Sequence, residues 1–128
     1  MRLIIAEKPS LGRAIAQALH SEETSQNKTL ISCENDTIVT WCFGHLLELA
    51  PPEHYSPAYR QWAFSTLPIL PNEFQHIPRK NALAQLHAIS ELIPQASKII
   101  HAGDPDREGQ LLVDELLEYF HWKGPVER

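Results

Sequence analysis

Two short apolar runs constrain this chain more than any other feature. They are Leu3-Ile4-Ile5-Ala6 and Lys98-Ile99-Ile100-His101-Ala102, and each is followed by a charged turn and then a helix-period segment. A continuous apolar run of this length suits a strand buried on both faces, as in a parallel sheet. After the first run, Leu11, Ala14, Ile15, Ala18 and Leu19 share one helical face, with Ser10 placed to cap a helix starting there. After the second, Leu112, Val113, Leu116, Leu117 and Phe120 do the same. A further helix precedes the second run, with Ala82, Leu86, Ile89 and Ile93 in step and Pro94 near its end. Strand–helix alternation at both ends implies an α/β fold, a mainly parallel sheet covered by helices.

Between the two units the pattern changes. Residues 21–28 are polar and read as an exposed loop. Residues 29–33 and 37–43 read as two strands around a turn at Glu34-Asn35-Asp36, an inserted hairpin or an antiparallel edge. With a two-residue loop at Asn35-Asp36, Cys33 faces Ile38 and Cys42 faces Thr29, so the two cysteines are not partners and read as buried free thiols. Six of the ten prolines lie in residues 50–78, together with Tyr55, Tyr59, Trp62, Phe64 and Phe74. Scarce Gly and Ser there suggest an ordered excursion held by its aromatics.

Composition excludes several classes. With 43% apolar and 21% charged residues, the chain is no disordered segment, and 128 residues fit one domain. Nothing approaches the ~18 consecutive apolar residues of a membrane helix, and Glu7-Lys8 interrupts the N-terminus too early for a signal peptide. Two cysteines make no disulfide framework. The expected place is the cytoplasm, with the nucleoid if the cell is bacterial. A net charge of −5 argues against a free-standing, charge-driven nucleic-acid binder, yet suits an acidic, metal-holding part of a larger DNA enzyme.

Glu7 follows the first strand and Asp104 the last. In an open parallel sheet both positions open onto the edge where ligands bind. Asp106 stands two residues on, and Glu108 opens the last helix. Clustered carboxylates repel unless neutralised, and an oxygen-rich set suits Mg²⁺. Lys8 beside Glu7 can meet a phosphate as a point charge. An ordinary Asp-x-Asp turn with Glu108 favouring a helix N-terminus fits the spacing equally well.

Three segments together resemble one family. Ile5-Ala6-Glu7-Lys8-Pro9-Ser10 is similar to the opening of type IA DNA topoisomerases of the topoisomerase III branch. Gly103-Asp104-Pro105-Asp106-Arg107-Glu108-Gly109 is similar to their acidic TOPRIM motif, and Gly44-His45-Leu46-Leu47-Glu48-Leu49 to the Gly-His-Leu segment between them. The order matches and the resemblance covers nearly the whole chain. It implies a Rossmann-like TOPRIM domain over residues 1–128, with Mg²⁺ held by Glu7, Asp104 and Asp106 and with Glu108 as a nearer or outer acid. Lys8 is implied to touch the scissile phosphate. The implied reaction cuts one DNA strand through a tyrosine, leaving a 5′-phosphotyrosine, passes another strand, and reseals without ATP. The implied DNA is single-stranded or locally unwound. Family members are much longer, and none of Tyr55, Tyr59 or Tyr119 stands in a nucleophile motif. The chain therefore reads as an N-terminal fragment, ending where the family begins another strand, and is expected to lack cleavage activity alone.

Arg107, within the acidic motif, is expected to steady a carboxylate rather than bind phosphate, with DNA contact as the alternative. His45 is read as a structural hydrogen-bonder or a DNA contact, and His101 as a strand histidine. Arg60 and Arg79-Lys80 read as solvated cations. Rival readings are a primase-like or nuclease-like protein on the same fold, and a non-enzymatic metal- or DNA-binding module. A dehalogenase-type phosphatase wants its Asp nucleophile after the first strand, where only Glu7 stands. A receiver-type domain wants paired acids there and a late lysine.

Overall fold

The computed structural model describes residues 1–20 and 28–128, so the loop expected at 21–28 lies almost wholly outside the described residues. The first apolar run is β1 (Arg2–Ala6), followed by α1 (Pro9–Ala18). The hairpin follows as β2 (Leu30–Cys33) and β3 (Thr37–Trp41), then β4 (Leu47–Leu49), α2 (Pro52–Tyr55) and β5 (His76–Pro78). The chain continues as α3 (Leu83–Leu92), β6 (Lys98–Ala102), α4 (Arg107–Tyr119) and β7 (Val126–Glu127).

Five strands form one sheet in the order β2-β3-β1-β6-β7. The β1 strand is parallel to both β3 and β6, and β7 is parallel to β6. Half of the hairpin is therefore not an insertion. Strand β3 is an interior parallel strand, and only β2 is antiparallel, at the edge. Alternation along β1 sends Leu3 and Ile5 to one face and Ile4 to the other. Leu3 and Ile5 meet Leu86 and Ile89 of α3 and Leu112, Val113 and Leu116 of α4. Ile4 meets Ala16 of α1 and Val39 of β3. This is the three-layer α/β sandwich expected of two buried-strand patterns.

Helix α1 begins at Pro9, with Lys8 at the N-cap in extended conformation and no side-chain cap bond, so Ser10 is not the cap. Proline's fixed φ suits the first helical position, where no N–H is needed. The inward face of α1 is Gly12 and Ala16 flanked by Leu11, Ile15 and Leu19, while Ala14 and Ala18 are exposed. The Trp41 ring causes that rotation, because a Cβ on Gly12 would lie 2.6 Å from it.

The hairpin register also differs. Cys33 pairs with Thr37, not Ile38, and Cys42 lies beyond the ladder. The loop takes three residues, with Asn35 and Asp36 both left-handed. Asn and Asp tolerate that region because their short side chains bond locally. The N-terminal ammonium, 2.9 Å from the Asp36 carboxylate, and the Arg2 N–H on the Asp36 carbonyl hold the turn down.

Of the aromatics expected to hold the excursion, Trp62, Phe64 and Phe74 are exposed, and Tyr55 acts through its hydroxyl. No residue from 51 to 75 is buried, and Trp62 and Phe64 are 88% and 96% exposed. Polar bonds tie it instead. The Gln75 N–H donates to the Tyr55 hydroxyl at 2.8 Å, and His54 Nε2 lies 2.9 Å from Gln75 Oε1. The β4–β5 pair closes its base.

Both cysteines are free. Cys42 is fully buried and its thiol faces the Leu112 carbonyl, whereas Cys33 is only half-buried. Burial, then the Glu115 and Glu7 carboxylates, push the Cys42 thiol up to about 12. Only the thiolate reacts. A disulfide reagent at pH 8 is therefore expected to modify Cys33 in the native chain and Cys42 only after unfolding. Rapid native labelling of a Cys33→Ala variant would count against that packing.

Candidate metal and DNA site

The parallel register sets Ala6 against Ala102, so Glu7 and Asp104 leave the sheet at the same edge. From β1 the chain returns through α1 on one face, and from β6 it continues into α4 on the other. The crevice between two such strands is where this class of sheet opens for ligands. The Asp104 N–H donates to Glu7 Oε2 at 2.8 Å, and the Glu7 N–H donates to the Ala102 carbonyl at 3.3 Å. Lys8 Nζ lies 3.5 Å from Asp104 Oδ2. Residues ninety-six and ninety-seven positions apart are thus brought into one polar cluster.

Helix α4 presses its first turn onto this cluster. Asp106 is its N-cap, and its Oδ1 accepts the Gly109 N–H at 2.8 Å. Gly109 is buried, and a Cβ there would lie 2.4 Å from the Asp104 carbonyl and 2.7 Å from Glu7 Oε2. Glu108 turns to His45, whose Nε2 lies 2.9 Å from Glu108 Oε1. The structure therefore brings Glu7, Lys8 and Asp104 together and gives Asp106 and Glu108 additional partners. Among the described residues no three His, Cys, Asp or Glu side chains close into a ready ligand set.

The donors present still fit a hard divalent cation. Glu7 and Asp104 offer oxygen only, and Mg²⁺ takes one or two carboxylates and keeps several waters for exchange with phosphate oxygens. Gly109 lets the first turn of α4 close directly onto the Asp104 backbone and the Glu7 carboxylate, where a Cβ would clash. Asp106 and Glu108 each engage a single named oxygen in the contacts above.

Several neighbours had no signal in the sequence. Glu115 Oε2 lies 2.9 Å from His45 Nδ1, and its Oε1 lies 3.9 Å from His76 Nε2. The Arg128 guanidinium donates to the Asp104 carbonyl at 2.8 Å and the Gly103 carbonyl at 3.3 Å, and also meets the Gln110 side chain. Arg107 is exposed and forms no ion pair among the described residues, so the carboxylate-steadying role is not realised. Arg79 spends its Nε on the Leu47 carbonyl at 3.2 Å.

The hydrogen bond from His45 to Glu115 holds its imidazole above the usual 6.5, with the Glu108 charge adding to the effect and partial burial opposing it. A raised folded value means that the folded state keeps this proton longer than the unfolded chain. The resulting stability is fully present below about pH 6.5 and is lost as pH rises through the folded value. The urea midpoint of the wild type relative to His45→Asn should therefore fall as pH rises above about 6.5. Parallel pH profiles of the two proteins would remove His45 as the cause.

The Toprim domain family matches residues 2–128. A DNA topoisomerase 3 of Vibrio cholerae is 52% identical over 118 residues, 92% of this chain and 18% of that protein. A DNA topoisomerase 3 of Salmonella typhimurium is 54% identical over 119 residues, 93% and 18% respectively. A DNA topoisomerase 3 of Staphylococcus haemolyticus is 37% identical over 129 residues, 98% and 18%. The chain thus spans under a fifth of the length of these relatives.

Proposed function

This chain belongs to the Toprim domain family, and from that premise we propose that residues 1–128 form the cation-holding domain of a type IA DNA topoisomerase of the topoisomerase III branch. One observation carries the reading. Glu7 and Asp104, from opposite ends of the chain, are hydrogen-bonded at the switch point of a parallel sheet with Lys8 beside them.

In this reading Mg²⁺ is held by Glu7 and Asp104, with Asp106 and Glu108 as further acids. When bound, it supplies positive charge to the phosphate oxygens as strand cleavage concentrates negative charge there. Lys8 contributes its ammonium on the same side, facing the phosphate and the departing 3′ oxygen, and Arg107 meets a neighbouring phosphate. The attacking tyrosine comes from elsewhere in a longer polypeptide. Its oxygen bonds to phosphorus as the 3′ oxygen leaves, and the reverse step reseals the strand after another has passed. The rest of that polypeptide is also the partner that covers the bare aromatics at Trp62 and Phe64. Single-stranded or locally unwound DNA is the substrate, and the cytoplasm, at the nucleoid, is the place. Two free thiols are consistent with a reducing compartment, and among the described residues no helix is long and apolar enough to cross a membrane.

Amide NMR spectra under Mg²⁺ titration, with traces of paramagnetic Mn²⁺, test this directly. Signals of Glu7, Asp104 and Asp106 should shift or broaden together, and Glu7→Gln should abolish the response. The chain by itself should leave supercoiled plasmid intact. A dispersed spectrum blind to both metals would sink the metal assignment. Plasmid nicking that Glu7→Gln removes would mean that this chain cleaves DNA without a tyrosine from elsewhere, as the nuclease-like reading requires.

A further inference from the structure

We propose that His101, as the neutral Nε2–H tautomer, is the positioning residue that clamps both ends of the acidic turn and thereby sets Asp104 against Glu7. His101 is 3% exposed, at the penultimate position of β6. Its Nδ1 accepts the Gly103 N–H at 3.2 Å, so that nitrogen carries no proton. Its Nε2 lies 3.2 Å from the Gln110 carbonyl and 3.5 Å from Asp114 Oδ1. Both of those oxygens only accept, so Nε2 carries the proton.

The far ends of the two bonds, Gly103 and Gln110, lie seven positions apart in the chain. Gly103 is where the turn leaves β6, and Gln110 lies just inside α4. Asp104, Asp106 and Glu108 all fall between them. One rigid ring therefore spans the base of the segment that carries the acids. The Gly103 amide precedes the Asp104 amide, which bonds Glu7 Oε2. Fixing the first aims the second. The far anchor is itself braced, because the Gln110 side chain donates to Asp114 Oδ2 at 2.6 Å and its backbone N–H donates to the Asp106 carbonyl at 3.1 Å. Outer partners that orient ligands in this way commonly control metal affinity by about 10–100-fold. An apolar side chain of the same bulk would fill the space yet leave the half-buried Gly103 N–H without its acceptor.

The test compares wild type with His101→Leu and His101→Asn in this chain. The Asn carbonyl stands about where Nδ1 stands, so it keeps the acceptor for Gly103 and gives up the long reach to Gln110. Imidazole ¹⁵N spectra of the wild type at neutral pH should show the Nε2–H tautomer. His101→Leu should keep a dispersed spectrum while the Gly103 and Asp104 amides exchange at least about tenfold faster. His101→Asn should restore most of that protection. The metal arm rests on the function proposed above. There, His101→Leu should weaken the Mg²⁺ response about tenfold, and His101→Asn should weaken it less.

An Nδ1–H or doubly protonated ring in the wild type would overturn the proposal. So would unchanged Gly103 and Asp104 protection in a folded His101→Leu protein. If His101→Leu fails to fold, the tautomer and the His101→Asn exchange pattern decide. Loss spread evenly over the sheet in His101→Asn would mean packing alone and overturn the clamp. A wild type blind to Mg²⁺, with both amides behaving as expected, would support the clamp and sink only the metal assignment.

Discussion

Gly109→Ala should destabilise the chain by about 3 kcal/mol, the upper range for forcing extra volume into a packed site. That sign runs against intrinsic preference. Gly109 lies inside α4, and replacing Gly by Ala within a helix ordinarily gains roughly 1 kcal/mol. Here the new methyl meets backbone on one side and a carboxylate on the other. Asp104 N and O would lie 2.5 and 2.4 Å away, and Glu7 Oε2 2.7 Å. Backbone cannot rotate aside as a flexible side chain can. Either α4 lifts from β6 or the Asp104–Glu7 hydrogen bond opens. Urea denaturation reads the first cost, and the amide shift of Asp104 reads the second. A midpoint unchanged or raised would mean that α4 does not press on the acidic turn as described.

The same glycine shows what a single sequence can and cannot disclose. The strands at residues 2–6 and 98–102 were legible because a run of apolar residues has few alternatives once it is too short for a helix. Glu7 and Asp104 were legible for the same reason. Each follows such a strand, and parallel pairing leaves them one edge to share. Asp106 was ambiguous because the residue type that holds a cation also caps a helix, and only the Gly109 N–H at 2.8 Å shows the cap. Glu115 carried no signal, since its contact with His45 spans seventy residues and no spacing rule links an α4 acid to a loop histidine. The hairpin register differs by one residue because Glu34 joins Asn35 and Asp36 in the loop, and turn composition alone does not separate two loop residues from three. The excursion failed for a different reason. Aromatic content is the same whether the rings face a core or a partner, so composition could not tell Trp41, buried against Gly12, from Trp62, which is bare.

That contrast leads to the second large effect. Ile99→Ala should cost about 2–5 kcal/mol, the usual price of emptying a core isoleucine site. Ile99 is fully buried on an interior strand of the sheet. It sits on β6 opposite Leu3 of β1 on one side and Val126 of β7 on the other, and it belongs to the core shared with α3 and α4. Its neighbours cannot collapse into the void without breaking strand register. Against a total of about 5–15 kcal/mol for a domain, such a loss is a large fraction of the whole. Phe64→Ala removes more carbon but from a ring already 96% exposed, so its effect should stay within about 0.5 kcal/mol. Denaturant curves of the two variants side by side separate core from bare surface. Equal losses would place Phe64 in a core of its own and undo the description of the excursion. A negligible loss at Ile99 would mean that β6 is not the packed interior strand on which Asp104 depends.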